Sequence, residues 1–334
     1  MRRRTTKRSV KITDVAKLAG VAAMTVSRVL NAPDRVTPET TARVREAIEE
    51  LGYVPNLIAG GLSSRRTRMI AAIVPTIVSP MFADTIHGFS DVFGSAGYQV
   101  LLAISGYDPA QEAAQLRAIL SHQPDALMLT GTERAPDMRR LLRDAGIPMV
   151  DIWDITDTPA DMVVGFDHHA IGAAMASHLL GKGIEHFAIV GAGDSRAIVR
   201  AGGFRDAILA AGKTMVAETV LPAPARITES RAATKALLAG MPPRLGVFCS
   251  SDFVGYGVVM EALAHGIAVP GRLAAIGFGD FEIGRECIVP ITTINVNGTI
   301  VGRTAASLLL DRLNNRACPA AVTVPFSLVQ RASS

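Results

Sequence analysis

Hydrophobic positions divide this chain into two regimes. Between Ile12 and Leu51 they recur at helical spacing in short stretches. Val15, Leu18 and Ala19 follow the i, i+3, i+4 rule, with Thr13 placed to cap the helix and Gly20 to break it. A second stretch, 23–30, turns Val26, Val29 and Leu30 inward and leaves Ala23, Met24, Ser27 and Arg28 on the outer face. Thr37-Pro38-Glu39 opens a third with a cap, a proline at the first helical position and an acid in the first turn. Val44, Ala47, Ile48 and Leu51 form its inward stripe, and Gly52 ends it. Short helices joined by a glycine turn predict a helix-turn-helix, whose second helix is the one that enters a DNA major groove.

From residue 69 the pattern changes to apolar runs separated by longer amphipathic stretches. The runs are 69–74, 99–104, 126–129, 149–152, 163–166, 187–190, 245–249 and 273–278; 110–121, 170–182 and 254–265 are typical of the stretches between them. Repeated strand–helix alternation predicts an α/β fold of parallel sheets covered by helices. About 265 residues suit two such sheets rather than one. No G-x-G-x-x-G follows the first run, so a dinucleotide site is a weak reading.

Composition narrows the class. The 334 residues are 49% hydrophobic and 19% charged, which excludes intrinsic disorder and supplies sizeable cores. Cys249, Cys287 and Cys318 stand far apart with no C-x-x-C pair, arguing against a disulfide framework or structural zinc and for a reducing compartment. Apolar runs are interrupted before they reach membrane-spanning length, and Arg2–Arg4 lead into Thr5–Asp14 rather than an apolar signal region. The expectation is a cytoplasmic, nucleoid-associated protein without membrane contact. Charge is uneven: residues 1–66 hold 13 Lys/Arg against 6 Asp/Glu, a net of +7, and the remainder carries −3. A basic head on a mildly acidic body fits polyanion binding by the head, with a solvated basic tail as the alternative for residues 2–11.

The residues themselves are more specific. Asp14-Val15-Ala16, Ala19-Gly20-Val21, Thr25-Val26-Ser27-Arg28-Val29-Leu30-Asn31 and Gly52-Tyr53-Val54-Pro55-Asn56 resemble the DNA-binding head of the lactose/galactose-repressor (LacI/GalR) family at its own spacing. The resemblance implies base reading by Ala23, Met24 and Arg28, phosphate contacts from Thr25, Ser27 and Asn31, and a DNA-facing Tyr53. Ala22-Ala23-Met24 departs from the more polar family pattern. Readout there must be apolar, for instance with thymine methyls, leaving Arg28 to read guanine. A core-filling Met24 is the alternative. The segment 55–67 matches the family's hinge helix, with Asn56 as its cap, Ala59 facing a dimer mate and Leu62 wedged into the minor groove; a plain linker is the alternative.

Further along, Ser79-Pro80-Met81-Phe82, Gly146-Ile147-Pro148, Arg200-x-x-Gly203-Phe204, Ser251-Asp252, Ile276-Gly277-Phe278 and Thr292-Thr293-Ile294 resemble the family's effector-binding core, a two-lobed fold like that of periplasmic sugar-binding proteins. The implied layout is a head at 1–54, a hinge at 55–67, one lobe at 68–165 plus 292–324, and a second at 166–291 plus 325–334. Chain crossings fall near Gly165, 291–295 and Pro325. Cleft residues carried over are Met81, Phe82, Asp151, Arg200 and Ser251; Gly279 stands where many members have Asp, so Asp280 is the displaced acid. Trp153, the only tryptophan, could stack on a polyol or pack between the lobes. Arg200 suits an anion, with a surface-helix arginine as the alternative. The strings "GYVPNLIAGGL" and "IGFGDFEIG" look like the gluconate-operon repressor branch, making a sugar acid the expected effector.

No H-x-x-x-H, H-E-x-x-H or G-x-S-x-G motif points to an enzyme, a metal or a cofactor, and His168-His169 reads as a solvent-exposed helix-start pair. A transport sugar-binding protein would share the core but lack residues 12–56. The resemblance therefore implies a homodimeric, sequence-specific repressor of palindromic operators, without the leucine heptads of tetrameric relatives. Gly60-Gly61 sets a test within the hinge. Each interior glycine costs a helix about 1 kcal/mol relative to alanine, so this hinge folds only against DNA. Gly60→Ala/Gly61→Ala should tighten operator binding and blunt ligand-induced release in gel-shift titrations, whereas Leu62→Ala should weaken specific binding more than non-specific binding.

Overall fold

The computed structural model describes residues 10–54 and 66–334, in two compact units, 1–68 and 69–334. The expected hinge positions Asn56, Ala59 and Leu62, with Gly60-Gly61, lie outside the described residues.

In the first unit, α1 (Ile12–Leu18), α2 (Ala23–Asn31) and α3 (Pro38–Leu51) surround a small core of Val15, Ala16, Ala19, Val26, Val29, Val44 and Ala47. Gly20 and Gly52 take positive φ at the ends of α1 and α3, where a side chain would be strained. Thr37 caps α3 by accepting from the Thr40 amide. Two expected core residues stay out: Leu18 is 46% exposed and Leu30 37%. On α1 the buried arc is centred on Val15, Ala16 and Ala19, which puts Leu18 beyond its edge.

The second unit contains two sheets of the same design. The first has the order β11-β5-β4-β3-β1-β2, from β1 (Met69–Val74), β2 (Gln99–Ile104), β3 (Ala126–Thr130), β4 (Met149–Ile152), β5 (Met162–Gly165) and β11 (Ala321–Thr323). The second has the order β12-β10-β9-β8-β6-β7, from β6 (His186–Ala192), β7 (Thr214–Leu221), β8 (Leu245–Cys249), β9 (Leu273–Phe278), β10 (Thr292–Asn295) and β12 (Ser327–Val329). All pairings are parallel except β10 with β12. Helices α4 (Pro80–Ser95), α5 (Pro109–Ser121), α6 (Pro136–Ala145) and α12 (Gly298–Leu313) accompany the first sheet. Helices α7 (His168–Leu180), α8 (Ser195–Ala210), α9 (Ile227–Leu238), α10 (Asp252–Ala264) and the short α11 (Glu282–Arg285) accompany the second. Central strands are continuous apolar runs because both faces are covered: β3, β4, β5, β8 and β9 are buried almost throughout.

The chain passes between the sheets after β5, after β10 and between β11 and β12. The boundary expected at residue 292 is therefore corrected. Thr292, Thr293 and Ile294 pair with Ile276, Gly277 and Phe278 of β9, so β10 extends the second sheet and the passage follows it. A side-chain pattern as short as Thr-Thr-Ile does not say which sheet it joins; the ladder does.

Each lobe has helices that cross backbone on backbone. A Cβ at Gly172 of α7 would lie 1.9 Å from the Arg200 carbonyl oxygen of α8, and one at Gly203 2.1 Å from that of His169. In the first lobe, a Cβ at Gly302 of α12 would meet the Thr85 carbonyl oxygen of α4 at 2.0 Å. Gly202, one residue from Gly203, faces open space. Gly172→Ala and Gly203→Ala should each cost roughly 3 kcal/mol or more in urea unfolding, because backbone must separate from backbone. Gly202→Ala should be neutral or slightly stabilising, since it adds only helix propensity.

Candidate functional site

Both sheets end on a shared cleft. Strand order reverses around β1 in one sheet and around β6 in the other, and such switch points open crevices at the carboxyl ends of strands. A cavity of about 640 Å³ lies there. Ser79, Met81, Phe82, Tyr107 and Trp153 line it from the first lobe; His168, Asp194, Arg196, Arg200, Ser250, Ser251 and Phe278 line it from the second. Its volume is that of a small-molecule site. A second hollow shares Tyr107, Asp194 and Arg196 with it.

Arg200 dominates the wall. It projects from α8 with 5% of its surface exposed, and its Cζ sits 3.9 Å from the centre of the Phe278 ring. Nη2 donates to the Ser250 carbonyl at 3.0 Å, Nη1 lies 2.8 Å from His168 Nδ1, and Nε has no acceptor among the described residues. Burial pulls the guanidinium down to about 10, so it stays cationic at neutral pH. His168 Nε2 is 2.7 Å from the Trp153 carbonyl and 3.4 Å from Asp154 Oδ1. Burial holds His168 below the ordinary imidazole range, with Asp154 opposing and Arg200 reinforcing the shift. Tyr107 is pushed up to about 12 by burial and by Asp194, and so remains a neutral phenol. Trp153 takes φ +70, an unusual backbone state for a large residue. Its ring packs edge-on to Phe82 and Phe166, both at 5.5 Å, and its Nε1 has no acceptor among the described residues. Ser79 Oγ is likewise unpartnered. Among the described residues, Arg196 and Arg226 line the cavity without an ion-pair partner, against one lining carboxylate, Asp194.

Of the expected cleft residues, Met81, Phe82, Trp153, Arg200 and Ser251 come together on this cavity, and Ser251 also caps α10 through the Val254 amide. Two do not. Asp151 points to the opposite face of β4, because it alternates with Val150 and Ile152, and it pairs with Arg134 at 2.9 Å. Asp280 holds Asn295 Nδ2 at 2.8 Å and is bonded to Arg331, tying the C-terminal segment to β10. His168 is the reverse case. It was expected in solvent and is buried, while its neighbour His169 is exposed and bonds Asp206. The signal for His168 was its position immediately after the strand β5, where the carboxyl end of a parallel strand opens on the cleft.

In the head, α2 carries Met24 at 65% exposure, with Arg28 exposed and Ala23, Thr25 and Ser27 half-buried on the same helix. Met24 thus lies outside the head's core. Tyr53 is half-buried against that core; the backbone of Asn31 ends α2.

A helix-turn-helix head followed by a two-sheet core with a small-molecule cleft defines a DNA-binding regulator of transcription. Residues 11–56 match the family model "Bacterial regulatory proteins, lacI family", and residues 176–334 match "Periplasmic binding protein-like domain". The HTH-type transcriptional regulator GntR of Pseudomonas aeruginosa is 34% identical over 99% of this chain and 97% of its own. A Lacl-family transcriptional regulator from Silicibacter pomeroyi superposes with a TM-score of 0.91 at 29% identity, covering 97% of this chain and 99% of that one. The transcription regulator GntR from Chromobacterium violaceum gives 0.75 at 32% identity, over 80% and 99%. The chain belongs to the lacI family of bacterial regulatory proteins. Its relatives are transcriptional regulators rather than enzymes.

The misplaced acid yields a test. Burial raises Asp151 to about 6, with Arg134 pulling it back down. Arg134→Ala would strand a buried carboxylate and should cost about 3–5 kcal/mol at pH 8. At pH 5 the stranded group takes up a proton, so the loss should shrink in urea unfolding. The sign follows from a folded-state value above the unfolded one, which makes stability fall as pH rises through it.

Proposed function

We propose that the protein is a homodimeric repressor whose affinity for a palindromic operator is set by a small sugar acid, such as gluconate, bound in the cleft. The observation that carries this reading is Arg200, a buried cation on the cavity wall whose Nε finds no acceptor among the described residues. An arginine fork favours a planar carboxylate through paired charge-assisted hydrogen bonds. Ser79 Oγ and Trp153 Nε1 are unpartnered as well, so the cavity asks its occupant for acceptor oxygens. Three lining arginines against one acid favour an anion. The likeness to the gluconate-operon repressor branch favours gluconate among sugar acids.

On the DNA side, α2 would lie in the major groove, Met24 meeting thymine methyls and Arg28 reading guanine, while Thr25, Ser27, Asn31 and Tyr53 would contact the backbone. Asn56, Ala59 and Leu62 would form the hinge, and cytoplasmic residence follows from this role. Ligand binding acts by shifting the population of operator-competent dimers.

Arg200→Ala should weaken D-gluconate binding at least tenfold by isothermal titration and abolish its effect on operator gel shifts. Operator affinity without ligand should stay within threefold of wild type. Retained ligand affinity would overturn the cleft assignment. No response of the wild type to any sugar acid in a thermal-shift panel would overturn the effector class.

A further inference from the structure

A guanidinium has only donors to offer. The 2.8 Å approach of Arg200 Nη1 to His168 Nδ1 therefore requires a lone pair on Nδ1. That makes the imidazole neutral and puts its single proton on Nε2, where the Trp153 carbonyl accepts it at 2.7 Å. The first bond lies within the second lobe and the second crosses to the first lobe. Trp153 follows β4 of the first sheet, while His168 opens α7 and Arg200 lies on α8 of the second. The crossing at Gly172 and Gly203 brings α7 and α8 close enough for the bond to form.

We propose that His168 is the positioning residue of the anion site: its neutral, Nε2-protonated ring aims the Arg200 guanidinium at the ligand and anchors it to the Trp153 backbone across the cleft. This rests on the reading of Arg200 as an effector contact. His168 is boxed in by the rings of Phe166 and Phe278, by Asp154 from the β4–β5 connection and by Arg200, with Asp194, Arg196 and Tyr107 around the guanidinium. Acidification protonates Nδ1, removes the acceptor and sets a second cation against Arg200. Ligand affinity then falls as pH falls through the His168 titration. Simple attraction between an imidazolium and an anionic ligand would have the opposite sign.

The test has two arms on the full chain. Without ligand, nitrogen-15 imidazole spectra, with the His168 signal assigned by its loss in His168→Asn, should show the neutral Nε2-protonated form at pH 7. An Nδ1-protonated or doubly protonated ring would overturn the proposal whatever the effector is. With D-gluconate as probe, isothermal titration at pH 8 should show at least a tenfold loss in His168→Ala and no more than threefold in His168→Asn, whose amide oxygen replaces the Nδ1 acceptor. Wild-type affinity should drop as acid protonates His168, and that of His168→Asn should stay flat over the same pH range after the same operator-binding check of folding. Equal affinity in His168→Ala, an asparagine variant as weak as alanine, or wild-type affinity rising with acid would each overturn it. Wild type that fails to bind gluconate at all counts against the effector reading, and the spectra then decide the role of His168.

Discussion

Burying the Arg200 guanidinium is the demand around which the cleft is organised. A cation leaves water at a cost of several kcal/mol unless its donors and charge are met. Here no carboxylate meets them within ion-pair distance among the described residues. The compensation comes from neutral groups: a main-chain oxygen at Ser250, an imidazole lone pair at His168 and the face of Phe278. Neutral partners hold the group without cancelling its charge, and Nε is left over. A carboxylate partner would have been a better stabiliser and a worse receptor, because the ligand would have to displace it.

Each of those partners depends on a particular piece of the fold. Ser250 follows β8 and Phe278 ends β9, so two neighbouring parallel strands deliver them to the same rim. His168 reaches Arg200 because α7 and α8 touch at glycine, with the Arg200 carbonyl occupying the space where a Gly172 side chain would be. The left-handed backbone at Trp153 presents its carbonyl to the far side of the same ring. Site geometry and helix packing are thus one constraint, and glycine is its least visible element.

Much of the fold was legible because the buried strands of a doubly covered sheet are unbroken apolar runs. The edge strand β7 was not, since it alternates exposed and half-buried residues as an edge must, and β10, β11 and β12 are too short to carry a period. In the head, residue spacing identified the helices, but so small a core left Leu18 and Leu30 partly in water. At the cleft, residue type misled where it ignored strand parity: Asp151 sits one residue from Ile152 and on the wrong face. Asp280 reads as a ligand contact only until its partners are known: Arg331 and Asn295, distant in sequence, absorb its carboxylate. His168 is harder to read, because a neutral buried imidazole leaves no trace in charge and only its place just after β5 points to the cleft. Trp153 packs against Phe82 and Phe166 and also lines the cavity.

The same arrangement shows how occupancy of the cleft can be felt at a distance. Backbone-on-backbone crossings at Gly302 in one lobe and Gly172 in the other resist internal deformation, so each lobe is stiff. The softest coordinate left is the angle between lobes, set at the three passages after β5, after β10 and between β11 and β12. The first passage, Phe166-Asp167, runs directly into His168, and Phe166 touches Trp153, His168 and Phe278 at once. An anion that recentres Arg200 must therefore act on a ring already bonded to the other lobe. Had the arginine been held by partners of its own lobe alone, ligand could bind without biasing the interlobe angle, and binding energy would have no lever on the rest of the chain.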